Sequence, residues 1–492
     1  MKVLDKRIQW IALILIGCFL LLFIQLNNLQ IRQASHLTSL PYNLRNHQAL
    51  LYLPRGSILT SDGTILATSK PTKDAFKELR EYPTGSLFSD IVGYDSIYYG
   101  VTGVEAVYNS YLSMHPSSSS SLGGILTSQD TTDDVILTLS TKLQQVAVQA
   151  LAKYPIGAVV AIDPQTGAVL AMYGKPTYDP NPLTSHNISQ ERAYFASLNP
   201  SSPTSPLLSV AYQQRYAPGS TFKVVTSSAV YQRDPSLATK NYPYLHYLTL
   251  PQSNSLLHNF ANEGCGGQLP ILLEQSCDTG FGQIGLDLGA NNLAGEAQQF
   301  GFNQVPPIDL TNVAKSNFPS AASFATQLPF LAYSAIGQGN VQATALQMAM
   351  VAGAVANDGV MMVPHVLSQI QDSLGQTVKQ YVPQPWLYST TPSSASSVTS
   401  DMELVASAGT ASNLFPPSQN IAAKTGTAQT SQAAGNNNWL VAFGPNGNGV
   451  KPQVAVAAVV PYFPGLPKDT TGDQIAGPVV ETVLETALSL GL

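Results

Sequence analysis

Ser220 and Lys223 are the pair of side chains in this sequence best suited to nucleophilic chemistry. Pro218 and Gly219 interrupt the chain just before them and an apolar helical pattern follows, so we expect both residues in the first turn of a helix. Residues three apart on a helix share one face, with Cβ atoms roughly 5–6 Å apart. A lysine whose pKa is lowered by desolvation can accept the proton of a serine hydroxyl, and a helix N-terminus favours a developing oxyanion. The spacing therefore predicts an activated serine.

Two further motifs follow along the chain. EQSCDTG contains Ser276 and Asp278, and AAKTGTAQT contains Lys424 followed by Thr-Gly-Thr. We expect Lys424 on an edge strand facing a cleft, where Gly426 would let an extended ligand approach closely. Each motif alone is common, and a solvent-exposed Ser-Lys pair is the ordinary interpretation of the first. All three in this order, after an export segment, form a much more specific pattern.

The segments around the motifs alternate between strand and helix patterns. A strand pattern at 135–140 precedes a helix pattern at 141–154, and 158–173 predicts two strands around a Pro-Gln-Thr-Gly turn. Three strand-like segments at 421–430, 438–445 and 454–463 precede a helix at 477–490. Strands at both ends with helices between them predict an α/β (α+β) domain with a largely antiparallel sheet. Upstream, apolar alternation around Asp62-Gly63 predicts a β-hairpin.

The N-terminal segment predicts the compartment. Residues 8–26 carry no charge and would span about 28 Å as a helix, close to the thickness of a bilayer core. Lys2, Lys6 and Arg7 precede the segment, so the positive-inside rule leaves the N-terminus in the cytoplasm and the rest of the chain outside. A cleaved signal peptide is the alternative, and either interpretation exports the chain. No second apolar span follows, which excludes a multi-pass channel or transporter.

Composition narrows the class of protein further. At 492 residues the chain is long enough for two or more domains. Only 11% of its residues are charged, against roughly 25% in typical soluble proteins, as expected of an exported surface. The net charge of −6 and the scattered basic residues give no support for a nucleic-acid partner. Three cysteines without a CxxC pair, and no HExxH, argue against a zinc site.

With these motifs the chain resembles a class B penicillin-binding protein, a family with the SxxK, SxN and KTG motif set. The similarity extends to PRGSILTSDGTILA, GAVVAIDPQTGAVLAMYGKPTYDPN and AIGQGNVQATALQMAMVAGAVANDG. It implies a cytoplasmic tip and transmembrane anchor at 1–27, a small, mainly β, dimerisation-type pedestal at 28–125, and a transpeptidase domain of the penicillin-binding and β-lactamase fold at 126–492. The polar stretch 115–124 is interpreted as a linker. The pedestal is too short for a glycosyltransferase domain.

The resemblance implies a serine D,D-transpeptidase that cross-links peptidoglycan stem peptides. Ser220 would be acylated by a stem peptide ending in D-Ala-D-Ala, with Lys223 as its base. Ser276 would relay a proton to the leaving nitrogen, supported by Lys424. An amine from a neighbouring stem peptide would resolve the acyl-enzyme. β-Lactams would acylate the same serine, and neither a metal nor an organic cofactor is implied.

The resemblance also implies a substrate-binding strand. Thr425, Gly426 and Thr427 would hold the donor peptide, the two threonine hydroxyls binding its carboxylate. The backbone N–H groups of Ser220 and Thr427 would form the oxyanion hole. A membrane-embedded, polytopic glycosyltransferase of the SEDS family is the implied partner. The sequence does not discriminate between roles in cell elongation, division and sporulation.

Asp278 departs from the family pattern, which has Asn at this position. An ionised Asp only accepts hydrogen bonds, and its charge favours protonated forms of Lys223 and Lys424. We expect the change either to weaken acylation or to be offset by local geometry. Cys265 and Cys277 flank this motif in an oxidising compartment, where a disulfide and two buried thiols are both open alternatives.

Two other functions compete with transpeptidation. A D,D-carboxypeptidase or β-lactamase would use water in place of the acceptor amine. A catalytically weak scaffold or β-lactam sensor would share the fold, and Asp278 is the feature that favours it. The intact Ser220, Lys223, Ser276 and Lys424 argue against an inert protein.

Overall fold

The computed structural model describes residues 2–33, 53–116, 130–430, 435–447 and 449–492. Its first element is helix α1 (Lys2–Asn27), which continues into a π-helical turn at Asn28–Arg32. The stretch Trp10–Gln30 is long and apolar enough to cross a membrane, and its apolar side chains are exposed. One N-terminal apolar helix of this kind fits the predicted single-pass anchor.

Among the described residues, seventeen strands form two large sheets and three two-stranded sheets. In chain order they are β1 (Ile58–Leu59), β2 (Ile65–Pro71), β3 (Glu78–Glu81), β4 (Asp134–Leu137), β5 (Gly157–Ile162), β6 (Val169–Lys175), β7 (Tyr242–Leu245), β8 (Tyr247–Thr249), β9 (Leu256–His258), β10 (Cys265–Gly267), β11 (Val360–Met362), β12 (Leu367–Gln371), β13 (Thr377–Gln380), β14 (Pro385–Tyr388), β15 (Ala422–Gln429), β16 (Asn436–Gly444) and β17 (Val454–Val460).

In the part of the chain that the structure describes, nine further helices of six or more residues pack around the sheets. They are α2 (Thr141–Ala150), α3 (Ile188–Ser197), α4 (Lys223–Arg233), α5 (Leu269–Glu274), α6 (Asp278–Gln299), α7 (Pro329–Ala335), α8 (Ala345–Ala356), α9 (Pro392–Ser407) and α10 (Gly477–Ser489). Shorter helical turns include Ser89–Val92, Gly103–Val107, Asn109–Leu112, Gly219–Phe222 and Gly472–Ile475. Helix α6 is bent at Gly289, whose φ of +77° is not helical.

The central sheet has the strand order β6-β5-β17-β16-β15, and every neighbouring pair is antiparallel. Every residue of β16 and β17 is buried, so both faces of the sheet are covered. Helices α2 and α10 pack together on these strands, and α8 packs on them beside α9. The sheet, its antiparallel pairing and the helical layers confirm the predicted fold class, and β15 lies at an edge as expected.

A second sheet joins distant parts of the chain. Its order is β13-β12-β4-β1-β2-β3, with β1 and β4 parallel and the other pairs antiparallel. The pair β1–β2 is the hairpin predicted around Asp62-Gly63. The predicted boundary at 125–126 and most of the predicted linker lie outside the described residues, so the division at that point stays a prediction.

A buried ion cluster holds the membrane-proximal region together. Glu105 is fully buried and accepts hydrogen bonds from Arg55 Nε and Arg80 Nε, both at 2.7 Å. Tyr82 donates to the same carboxylate at 3.2 Å. Two guanidinium groups therefore share one carboxylate away from water, which fixes the segments that carry them.

Candidate active site

The predicted nucleophile lies at the junction of two helical turns. Ser220 belongs to the turn Gly219–Phe222, which runs directly into α4 at Lys223. Gly219 has a φ of +54°, and a Cβ there would lie 2.9 Å from the carbonyl carbon of Thr427. Only glycine fits this conformation and this contact without strain. The turn is thereby pressed against β15, with Ser220 lining a cleft of about 640 Å³.

Lys223 is fully buried beneath the cleft. Its Nζ donates to the carbonyl oxygen of Ser276 at 2.6 Å and to Asp278 Oδ1 at 2.7 Å. The Ser276 hydroxyl lies 3.4 Å away. Burial lowers the pKa of Lys223, and the negative charge of Asp278 opposes that shift. Burial is the larger of the two effects, and the Ser276 carbonyl and Asp278 supply acceptors for the N–H groups of Lys223.

Lys424 is the second buried amine of the site. It lies on β15, and its Nζ donates to Ser276 Oγ at 2.9 Å and to the Thr425 carbonyl at 3.1 Å. Burial and the nearby charge of Lys223 hold the pKa of Lys424 well below its usual value, with a smaller opposing effect of Asp278. Ser276 Oγ therefore lies between two amines, as a proton relay requires.

The loop that carries Ser276 is held by a covalent bond. A disulfide joins Cys265 on β10 to Cys277, with Cα atoms 5.8 Å apart. Ser276 itself has a φ of +57°, an uncommon conformation for a residue with a side chain. The sequence had left a disulfide and free thiols open, and the structure contains the disulfide.

Asp278 is the first residue of α6, where the helix dipole favours a negative charge. Its side chain is 21% exposed, whereas that of its partner Lys223 is completely buried. The prediction that this Asp lies beside the two lysines agrees with the structure. Its charge acts on both amines, and its Oδ1 also serves as an acceptor for Lys223.

The substrate-binding strand has two threonines with different surroundings. Thr425 Oγ1 lies 2.6 Å from Thr410 Oγ1, and Thr427 Oγ1 accepts a hydrogen bond from the backbone N–H of Gly472 at 3.2 Å. Both threonines line the cleft. They are therefore placed to meet a ligand lying along β15.

Gly426 is buried between the two threonines. A Cβ on Gly426 would lie 2.8 Å from the carbonyl oxygen of Pro218 and 3.0 Å from the Cβ of Trp439. Packing against the chain's own turn therefore explains this glycine in the structure. The close approach of a ligand strand, which the sequence also suggested, stays a prediction.

Several residues of the cleft were not predicted from the sequence. Thr410 lies three residues after the end of α9, and Gly472, which contacts the cleft residue Thr427, opens a short helix after β17. Tyr244 and Glu263 line the cleft from the small β7–β10 region that the disulfide fastens to the site. None of them belongs to the three motifs, so no spacing pattern marks them. Among the described residues, no group of His, Cys, Asp or Glu side chains could hold a metal ion.

The arrangement suits acyl transfer by a serine: a hydroxyl at a helix start, two amines of lowered pKa, and a second hydroxyl between them. Sequence comparison points the same way. The penicillin binding protein transpeptidase domain matches residues 157–485, and the penicillin binding protein A dimerisation domain matches residues 55–132. The chain belongs to the penicillin-binding protein transpeptidase family.

Relatives of this penicillin-binding protein match most or nearly all of its length. It is 31% identical to the peptidoglycan D,D-transpeptidase PbpA of Mycolicibacterium smegmatis, over 97% of this chain and 98% of that protein. It is also 31% identical to the peptidoglycan D,D-transpeptidase MrdA of Escherichia coli, over 72% of this chain and 57% of MrdA.

Solved structures of the family superpose well on this one. A ceftriaxone acyl-enzyme complex of penicillin-binding protein A from Mycobacterium tuberculosis has a TM-score of 0.78 and 29% identity, covering 90% of this chain and 100% of that one. The D,D-transpeptidase domain of a peptidoglycan glycosyltransferase from Eggerthella lenta has a TM-score of 0.76 and 32% identity, covering 89% and 99%.

Proposed function

We propose that this penicillin-binding protein is a peptidoglycan D,D-transpeptidase acting through an acyl-enzyme on Ser220. The observation that carries the proposal is the contact of Ser276 with both buried lysines, Lys223 and Lys424, in the cleft that Ser220 lines. Relatives named D,D-transpeptidase that match along the whole chain, and neighbours solved as β-lactam acyl-enzymes, support the same chemistry.

Acylation needs a base for the Ser220 hydroxyl. A neutral lysine amine has two N–H groups and one lone pair. The two N–H groups of Lys223 match its two short hydrogen bonds, to the Ser276 carbonyl and to Asp278. Its lone pair then remains for the proton of Ser220. In this role Asp278 orients the base, which offsets the electrostatic cost of its charge.

The leaving group needs a proton after the tetrahedral intermediate forms. Ser276 Oγ accepts from Lys424 at 2.9 Å and lies 3.4 Å from Lys223. Its own hydrogen is then free to pass to the departing D-Ala nitrogen, and Lys223 replenishes it. The backbone N–H groups of Ser220 and Thr427 bind the oxyanion, since Gly219 brings the two residues together.

Strand β15 would bind the substrate. The donor stem peptide would add to this edge strand beside Gly426, with its terminal carboxylate on the hydroxyls of Thr425 and Thr427. The acceptor is the side-chain amine of a second stem peptide. β-Lactams mimic the donor and are held as the stable ester of Ser220.

The proposed location of the protein rests on α1. We assign this helix as a single-pass anchor in the cytoplasmic membrane, with the catalytic domain outside, because basic residues precede the span. A polytopic SEDS-family glycosyltransferase is the proposed membrane partner, which would supply the glycan strands to be cross-linked.

Labelling with a fluorescent penicillin tests the acyl-enzyme. The full-length protein in detergent should be labelled, and Ser220→Ala should abolish the label. Ser227→Ala is a matched control, because Ser227 is buried on α4 and its hydroxyl has no hydrogen-bond partner among the described residues. Labelling that survives in Ser220→Ala would refute the assignment of the nucleophile.

Product analysis separates the competing activities. With a D-Ala-D-Ala stem peptide and an acceptor amine, a transpeptidase releases one D-Ala for each new cross-link. A D,D-carboxypeptidase releases D-Ala without a cross-link, and a β-lactamase returns a hydrolysed penicillin. A protein that is labelled but turns over neither substrate would be a sensor or scaffold.

A further inference from the structure

The hydroxyl of Thr427 is fixed from outside its own strand. Its Oγ1 accepts a hydrogen bond at 3.2 Å from the backbone N–H of Gly472. A hydroxyl has one hydrogen to donate and two lone pairs. With one lone pair turned to Gly472, the hydrogen can point into the cleft that Thr427 lines. The backbone of Gly472 therefore makes Thr427 a donor for an incoming acceptor group.

Gly472 can make this contact because it lies against the sheet. A Cβ on Gly472 would lie 2.3 Å from the carbonyl oxygen of Trp439 and 2.5 Å from that of Gly426. No other residue fits without displacing β15 or β16. The first residue of the short helix Gly472–Ile475 is thus pressed onto the strand pair that carries the site.

Two asparagine side chains hold the chain just before Gly472. Asn438 Nδ2 donates to Thr470 Oγ1 at 3.1 Å, and Asn436 Nδ2 donates to the Thr470 carbonyl at 3.0 Å. Both asparagines lie on β16, and Asn438 is directly opposite Thr427 in the ladder. Asn438 is fully buried and Asn436 is 6% exposed. Buried amides with this geometry fix a backbone segment firmly.

We propose that Asn436 and Asn438 are positioning residues which, through Thr470 and Gly472, orient the Thr427 hydroxyl toward the carboxylate of the substrate. The inference rests on the proposed role of Thr427 in carboxylate binding. It adds a specificity device: the amides act on the recognition of the terminal carboxylate and leave the acylation chemistry of Ser220 untouched. Asn436 also lines the cleft and Asn438 is fully buried, and both amides donate to Thr470.

The test compares two acylating agents that differ only in the carboxylate. Second-order acylation constants are measured for a penicillin and for its methyl ester, with full-length protein in detergent. The selectivity is the acylation constant of the free acid divided by that of the methyl ester. In the unchanged protein the free acid should react faster. Removing an aligned hydrogen bond to a charged group should reduce this ratio roughly tenfold or more.

Three variants report on the pathway from the amides to the hydroxyl. Thr427→Val removes the donor, and Asn438→Leu removes the buried amide. Thr470→Val removes the hydroxyl that accepts from Asn438 and donates to the Pro467 carbonyl. Asn438→Leu and Thr470→Val should each lower the ratio, with the methyl ester reacting at nearly the original rate, and Thr427→Val should lower the ratio because it removes the donor itself. The double variant Asn438→Leu/Thr470→Val should have a ratio similar to that of the single variants, because both changes break the same hydrogen bond, between Asn438 and Thr470. If Asn438→Leu folds poorly, Thr470→Val still tests the hydrogen bond between Asn438 and Thr470.

Asn446→Leu is the matched control. Asn446 is 6% exposed and donates to the Asn420 carbonyl at 3.0 Å, beyond the other end of β16. It should leave the ratio unchanged. If Asn438→Leu and Thr470→Val slow both agents equally, the amides are only structural and the inference is overturned. If Thr427→Val itself leaves the ratio unchanged, the proposed carboxylate role of Thr427 is what fails.

Discussion

Lys223 Nζ and Asp278 Oδ1 lie 2.7 Å apart and join the first residues of α4 and α6. The opposite ends of the same helices are joined by a second ion pair, in which Arg233 Nε lies 2.8 Å from Glu296 Oε2. Helix α4, which begins with Lys223, is therefore held to α6 by one ion pair near each end. Asp278 contributes to this packing as well as to the electrostatics of the site.

Asp278→Asn should preserve or raise the rate of acylation and shift its pH dependence. The negative charge of Asp278 raises the pKa of Lys223 against the lowering effect of burial. Without that charge the pKa of Lys223 falls further, so a larger fraction is neutral at any pH on the acid side. The acidic limb of the acylation rate should therefore move to lower pH, measured with a chromogenic β-lactam. An asparagine oxygen can still accept from Lys223.

Asp287→Asn is a matched control for this change. Asp287 lies on the same helix, is 20% exposed, and pairs with Lys240 at 2.6 Å away from the cleft. It should not move the acidic limb. A large fall in the acylation rate of Asp278→Asn at every pH would mean that the carboxylate is needed for catalysis itself.

Gly219→Ala should impair acylation more than stability. Alanine at a φ of +54° costs about 1–2 kcal/mol, and its Cβ would contact the Thr427 carbonyl. The turn must then move away from β15 and widen the oxyanion hole, and such displacements reduce rates by roughly 100-fold. Stopped-flow acylation and thermal unfolding measure the two effects.

Gly63→Ala is the control for Gly219→Ala, because it has the cost of the positive φ without a contact of the added Cβ. Gly63 has a φ of +81°, but a Cβ there would have nothing within 4 Å. This variant should lose similar stability and keep full acylation. Equal acylation in both glycine variants would contradict the proposed oxyanion hole.

The double variant Cys265→Ser/Cys277→Ser should be less stable and slower. Losing a disulfide that closes a loop of this length lowers the free energy of unfolding by roughly 3 kcal/mol. Ser276 would then be held less firmly in its left-handed conformation, so acylation should also slow. Chemical denaturation and intact mass after alkylation, with and without reductant, give the measurement. Cys18→Ser in the anchor should change neither the stability nor the rate. Since Cys18 is a free thiol, more than one free thiol in the untreated protein would contradict the bond.

Glu105→Leu should destabilise the membrane-proximal region. It leaves the buried guanidinium groups of Arg55 and Arg80 without their shared carboxylate, which costs about 3–5 kcal/mol. Lys70→Met, which breaks the exposed pair with Glu81, should cost less than about 1 kcal/mol. Thermal unfolding followed by limited proteolysis compares the stability of the two variants. Equal melting temperatures would show that the cluster contributes little.

Much of the site could be predicted because its chemistry lies in short motifs. Ser220 and Lys223 are three residues apart, and helical geometry alone places them on one face. Lys424 was expected on an edge strand, and the strand pattern around it was sufficient for that. The effect of Asp278 on the lysines followed from its charge, while its use as an acceptor for Lys223 needed coordinates.

Contacts between segments that lie far apart in the chain could not be predicted from the sequence. Thr410 reaches Thr425, and Gly472 reaches Thr427, only because α9 and a short helix after β17 pack beside β15. No local periodicity encodes such a meeting. The same reason explains why the sequence did not predict that β12 and β13 would join the sheet of β1, β2 and β3.

That shared sheet has a consequence for synthesis. Strand β4 leaves the ribosome early, but its neighbour β12, together with β13, is complete only after Gln380 has been made. At typical elongation rates β4 waits roughly 10–50 s for this partner. Through that interval its open edge is available for wrong pairing. Nascent chains should therefore depend on holding chaperones until the sheet closes.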